Sequence, residues 1–134
     1  MPIIVNPDGL APPRGYSNGM VLRGDSTLFV AGQIGWDRDC AIVSDDFAAQ
    51  FAKALDNVLE VVTEAGGDAT RIGRLTIYVT DKAVYMAAAK DVGRAYRERM
   101  GEHYPAMSLV EVADLLEPRA QVEIEATAIL GGSE

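Results

Sequence analysis

Carboxylates, one histidine, one cysteine and several arginines are the side chains of this 134-residue sequence that could carry chemistry. Glu123 and Glu125 alternate in the run Val122-Glu123-Ile124-Glu125-Ala126, so they share one face of a predicted strand. A carboxylate beside a water molecule can take a proton as that water attacks an electrophilic carbon. Taken alone, two carboxylates on a strand face are solvated surface groups. Cys40 stands in the polar run Trp36-Asp37-Arg38-Asp39-Cys40 with no histidine near it, and reads as an inert thiol. His103, before Tyr104-Pro105, reads as a surface or helix-dipole residue. Arg94, Arg97 and Arg99, with Glu98 among them, read as the solvated face of a helix. A single cysteine and a single histidine exclude thiolate cages and histidine-rich metal sites.

Charge narrows the partners. Lys plus Arg is 12 and Asp plus Glu is 20, a formal net charge of −8. That opposes binding to a phosphate backbone, so no nucleic-acid partner is expected. No stretch approaches a span of about 20 apolar residues, so no membrane is expected either. The opening MPIIVNPDGL lacks the basic start and long apolar core of a secretory signal. An unpaired cysteine suits a reducing compartment. The expected location is the cytoplasm. With 49% hydrophobic and 24% charged residues, the composition is that of a soluble globular chain, here one domain over residues 1–134.

These residues need elements to position them. Residues 6–19 are turn-rich and read as an ordered loop. Met20 to Gly24 and Thr27 to Gln33 are β-type runs split by Asp25-Ser26, which predicts a hairpin. Phe47, Phe51, Leu55, Val58, Leu59 and Val62 recur at helical spacing, with Ser44 or Asp45 as the cap and Gly66 as the stop. Arg74 to Thr80 alternates as a half-buried strand. Asp81 opens a second helix, whose buried stripe is Tyr85, Ala88, Val92, Ala95 and Tyr96 and which Gly101 closes. Ala106 to Val112 and Gln121 to Leu130 are the last strands. The order β-β-α-β-α-β-β predicts an α+β domain with both helices on one face of one sheet. Val110, Val112, Leu75, Ile77, Val79, Val122 and Ile124 are expected toward the helices. Met107, Leu109, Glu111, Glu123 and Glu125 are expected on the opposite face. Exposed Met107 and Leu109 would form an apolar patch of the kind that marks subunit contacts, so homo-oligomerisation is expected.

Several segments also stand in a telling order. They are Gly15-Tyr16-Ser17-Asn18-Gly19, Val30-Ala31-Gly32-Gln33-Ile34, Gln50 with Leu55-Asp56-Asn57-Val58, Tyr78-Val79-Thr80-Asp81, Tyr104-Pro105-Ala106-Met107-Ser108 and Val122-Glu123-Ile124-Glu125-Ala126. From about Gly15 to Leu130 the chain resembles the RidA/YjgF family of reactive-intermediate deaminases. The resemblance implies a chorismate-mutase-like fold and a homotrimer with sites in the clefts between subunits. It implies a small-molecule substrate and no cofactor or metal. The implied activity is hydrolysis of enamines or imines such as 2-aminoacrylate to a keto acid and ammonia. By resemblance, Glu123 positions the water, Tyr16 closes the pocket, and Gly32 and Gln33 line the cleft.

Three positions depart from the family pattern. Met107 stands where an arginine usually binds the substrate carboxylate, Leu109 where a cysteine often lies, and Ala31 where serine or threonine is usual. The family's asparagine on the second helix falls at Ala89 or Lys90, because that helix carries an extra residue. Without a guanidinium at position 107 the charge-assisted pair with a carboxylate is lost, at a cost of about 3–5 kcal/mol if buried. Arg14 and Arg119 are the candidate replacements. The departures leave open an aminomuconate-type substrate, or a trimer that binds a small ligand without turnover.

Overall fold

The computed structural model describes residues 2–131; residue 1 and residues 132–134 of the expected domain lie outside the described residues. Its elements are β1 (Ile3–Val5), β2 (Gly19–Val21), β3 (Ser26–Ile34), α1 (Phe47–Glu64), β4 (Ile72–Val79), α2 (Lys82–Ala87), α3 (Ala89–Met100), β5 (Ala106–Glu111) and β6 (Val122–Leu130). The architecture is α+β, as the sequence predicts.

The first helix follows its pattern. Phe47, Phe51, Ala54, Leu55, Val58 and Val62 are buried along one stripe of α1. Its cap is Asp46 rather than Ser44 or Asp45: the Asp46 carboxylate accepts the Ala49 N–H at 3.0 Å. Gly66 follows the helix at φ +94°, a left-handed conformation that favours glycine. The second predicted helix is two helices. Asp81 caps α2 as expected, and Ala88 then breaks the path before α3 begins. The break lets the Tyr85 ring meet Phe47 edge-on at 6.0 Å while Val92, Ala95, Tyr96 and Met100 stay in the core.

The main sheet runs β3-β6-β4-β5, antiparallel except for the parallel β4–β5 pair. Both helical layers cover one face of it. Leu75, Ile77, Val79, Val122, Ile124 and Ala126 point into that core. The predicted hairpin does not form. β2 pairs with β1, and the chain then passes over the end of β6. The passage is tight: the Asp25 N–H donates to the Leu130 carbonyl at 2.7 Å. A Cβ on Gly24 would fall 2.3 Å from that same carbonyl oxygen.

β5 presents the opposite face from the one its sequence suggests. Leu75 pairs with Met107 and Ile77 with Leu109, so Met107 and Leu109 lie on the helix side and pack against the core. Val110 faces away and is 45% exposed. Met-Ser-Leu-Val offers apolar residues to either face, so its own alternation cannot choose. The parallel pairing with β4 chooses, and a one-residue shift inverts every side chain. The outer face is therefore lined by Glu123, Glu125, Tyr78 and Val110, with Phe29 78% exposed.

One buried amide joins these elements. Gln50, on α1, is 0% exposed. Its Nε2 donates to the carbonyls of Ser44 at 2.9 Å and Arg119 at 3.1 Å, and its Oε1 accepts the Gln121 N–H at 2.8 Å. Gly35 abuts the same residue, since a Cβ there would lie 2.7 Å from the Gln50 Cα. Gln50→Leu would leave a buried N–H and two carbonyls without these partners. We expect about 2–4 kcal/mol of lost stability, read as a lower urea midpoint with unchanged slope. Gly35→Ala should cost about 1–3 kcal/mol by overpacking.

Candidate functional site

A cavity of about 490 Å³ opens between the helical layer, the start of β5 and the loop at residues 14–16. Arg14, Tyr16, Tyr85, Arg97, Tyr104, Met107 and Leu109 are among the residues that line it. Local chain chemistry sets Tyr16. Gly15 turns the chain at φ +75°. Ser17 is buried; its N–H donates to the Pro105 carbonyl at 3.1 Å and its Oγ–H to the Tyr104 carbonyl at 2.5 Å. Tyr104 in turn stacks on Tyr96 at 5.3 Å. The Tyr96 hydroxyl donates to the His103 carbonyl at 2.7 Å, and burial pushes that phenol well above its ordinary pKa. His103 holds its Nε2 2.7 Å from the Ile72 carbonyl, which makes it a strut between α3 and β4.

Glu123 sits elsewhere, on the outer face of β6. Its carboxylate lies over Gly32 of β3, where a Cβ would fall 2.0 Å from Glu123 Oε2. β3 carries one extra residue between the pairs Val30–Ala126 and Gln33–Ile124. This bulge contains Ala31 and Gly32, and bulges of this kind re-aim the strand beside a site. Beyond it the Gln33 amide donates to the Ala31 carbonyl at 3.2 Å. Gln33 lines a second, wider hollow of about 790 Å³ against α1, together with Trp36, Lys53 and Asn57. Next to Glu123, the Tyr78 hydroxyl donates to Glu125. That hydrogen bond, then burial and the negative charges of Glu125 and Glu123, hold the Tyr78 pKa above its ordinary value.

The predicted residues thus fall into groups. Arg14, Tyr16, Met107 and Leu109 share the cavity on the helix side. Ala31, Gly32 and Glu123 meet on the outer side of the sheet. Within one chain the sheet separates the two groups. Arg119 joins neither: its Nη2 lies 2.8 Å from Asp45 Oδ1, an ion pair that raises the guanidinium pKa. Ala89 lines the cavity and Lys90 does not. Cys40 is exposed in its loop at φ +62°.

Arg97 is exposed, as its sequence context suggests, and it also lines the cavity. The other two arginines of that cluster are paired, exposed Arg94 with Asp91 at 3.1 Å and half-buried Arg99 with Asp56 at 2.7 Å. Gly93, one turn before Arg97, was the available signal, because glycine inside a helix wants a packing reason. Among the described residues no cluster of three or more His, Cys, Asp or Glu could hold a metal, and no helix is long and apolar enough to cross a membrane.

Comparison with known proteins agrees with this architecture. Residues 7–130 match the family described as endoribonuclease L-PSP. A human protein named 2-iminobutanoate/2-iminopropanoate deaminase is 31% identical over 118 residues, covering 87% of this chain and 80% of its own. The protein of that name from Salmonella typhimurium is 34% identical over 107 residues, 78% of this chain and 80% of its own. A solved structure of a conserved Rid-family protein of unknown function from Yersinia pestis superposes with a TM-score of 0.86 at 30% identity, covering 96% of this chain and 98% of that one. By sequence over most of its length, and by the arrangement of its sheet and helices, the chain belongs to the RidA/YjgF family.

Proposed function

We propose that this protein is a hydrolytic deaminase of reactive enamines and imines derived from amino acids, with Glu123 as the base that activates water. The contact between Glu123 and Gly32 carries this reading. The Glu123 carboxylate occupies the space that a side chain at position 32 would need, so the bare glycine backbone fixes where its acceptor oxygens lie. The human and Salmonella relatives, named deaminases of 2-iminobutanoate and 2-iminopropanoate, support the reaction class.

The chemistry is short. Water attacks the C=N carbon of the imine as Glu123 takes one of its protons. Returning that proton to nitrogen completes the carbinolamine; its hydroxyl proton then passes through Glu123 to the same nitrogen, the C–N bond breaks to release ammonia, and the carbonyl of the keto acid forms. Atoms balance as imine plus water giving keto acid plus ammonia. Tyr16 closes the binding cavity and Arg14 lends it positive charge, while Met107 and Leu109 give apolar contact in place of a guanidinium.

The sheet separates Glu123 from this cavity, so one chain does not complete the site. We place the chain in a homotrimer in which the cavity of one subunit opens toward Glu123 of the next. The exposed outer face of the sheet, with Phe29 and Val110, supplies the apolar surface that such packing would bury.

Three outcomes are expected. Ammonia release from freshly generated 2-imino acids should exceed background and fall about 10²–10⁴-fold in Glu123→Ala. No release by the native protein would contradict the enzyme reading. Gly32→Ala should lower activity about as far while changing stability by less than about 1 kcal/mol, since only a carboxylate must swing aside. Light scattering should report three chain masses for the native protein, and Phe29→Glu should shift it toward the monomer with loss of activity.

A further inference from the structure

The deaminase reading leaves open which substrate the cavity takes, and the following inference rests on that reading. In a chain of net charge −8, this cavity is lined by two cations, Arg14 and Arg97, and by no acidic residue. Neither guanidinium is held in an ion pair or hydrogen bond among the described residues, whereas Arg94, Arg99 and Arg119 all are. Two unengaged guanidiniums in one hollow of an acidic protein select an anionic ligand.

The pose of Arg97 is built into α3. A helical side chain leans toward the N-terminus, over the residue four positions earlier. That residue is Gly93, and a Cβ there would lie 3.1 Å from Arg97 Nη1. The bare backbone at position 93 gives the guanidinium its berth against the cavity wall. A side chain larger than alanine at 93 would push it out.

The rest of the cavity is apolar and aromatic. Tyr16, Phe51, Tyr85 and Tyr104 contribute rings, and Met107 contributes a flexible thioether that packs well on aromatic edges. Its volume of about 490 Å³ lies within the range of about 300–1,000 Å³ that encloses ring-bearing ligands. A three-carbon imino acid would leave most of it unfilled.

We propose that the substrate is a 2-imino acid, or its enamine tautomer, with a bulky apolar and preferentially aromatic side chain, and that Arg97 anchors its carboxylate. The ring lies among the tyrosines, and the arginine fixes the acid end. The anchor has thus moved from β5 to α3, and Met107 becomes part of the side-chain pocket.

The test generates imines in situ with an amino-acid oxidase acting on phenylalanine, leucine and alanine, and follows imine lifetime by trapping with semicarbazide. The phenylalanine-derived imine should show kcat/KM at least about tenfold above the alanine-derived one. Arg97→Ala should lower kcat/KM by about ten- to a hundredfold, mainly through KM, and Arg97→Lys should recover part of the loss. A preference for the alanine-derived imine overturns the inference. So does an Arg97→Ala variant within twofold of native, and if Glu123→Ala still abolishes turnover the deaminase reading survives alone. If the native protein turns over none of the three, the deaminase reading falls, and calorimetry with phenylpyruvate decides the ligand class. Binding that Arg97→Ala weakens would uphold the class, and no binding would overturn it.

Discussion

A primary amide taken wholly out of water must find partners for each end or destabilise the fold, and Gln50 meets that condition in a way that shapes the site. Its oxygen holds the Gln121 N–H at the entry to β6, two residues before Glu123. Its nitrogen holds the carbonyls of Ser44 and Arg119, one on the approach to α1 and one in the turn that feeds β6. Its backbone packs so closely on Gly35 that position 35 has no room for a side chain. Gly35 directly follows the strand that carries Gly32. The two halves of the Glu123–Gly32 contact are thus referenced to one residue of α1, and the hydrophobic stripe of that helix anchors it in the core.

The sheet then divides labour between its faces. The helix side supplies the core and, at the β5 edge, an aromatic cavity with positive charge. The outer side supplies a carboxylate beside a glycine, together with the exposed apolar residues Phe29 and Val110. A four-stranded sheet covered on one side only leaves Phe29 and Val110 in water. The proposed trimer resolves that exposure and the split site together, which is the physical economy of building sites at subunit boundaries.

What could be read from sequence followed the strength of local contrast. β4 and β6 alternate cleanly between apolar and polar, so their faces, and the side on which Glu123 lies, were legible. Asp81, Gly66 and Gly101 marked helix ends that the structure keeps. β5 has no such contrast: Met107, Leu109 and Val110 are all apolar, and only its pairing with β4 decides which of them meets the helices. The break at Ala88 was hidden, because alanines on both sides are equally good helix formers. The β1–β2 ribbon was hidden because Asp25-Ser26 looks like hairpin chemistry, whereas tertiary contact with Leu130 sets the path there. The exposed face of α3 was read correctly at Arg97, but its place at the cavity mouth was hidden, since helical charge clusters resemble one another until the fold shows which member borders a cavity. Gly93 was the one local mark that distinguished it.

The central claim is that catalysis joins Glu123 of one subunit to the cavity of another. Complementation tests it most directly. Chains bearing Glu123→Ala and chains bearing Arg97→Ala with Tyr16→Ala would be co-expressed in equal amounts, with each also purified alone. If the site is shared, random assembly restores both halves at about one quarter of the sites, and at substrate well below KM the mixture regains a matching share of native ammonia release while each parent stays far below it. If the mixture is as inactive as its parents although mixed oligomers form, each site draws its residues from a single chain and the account is wrong.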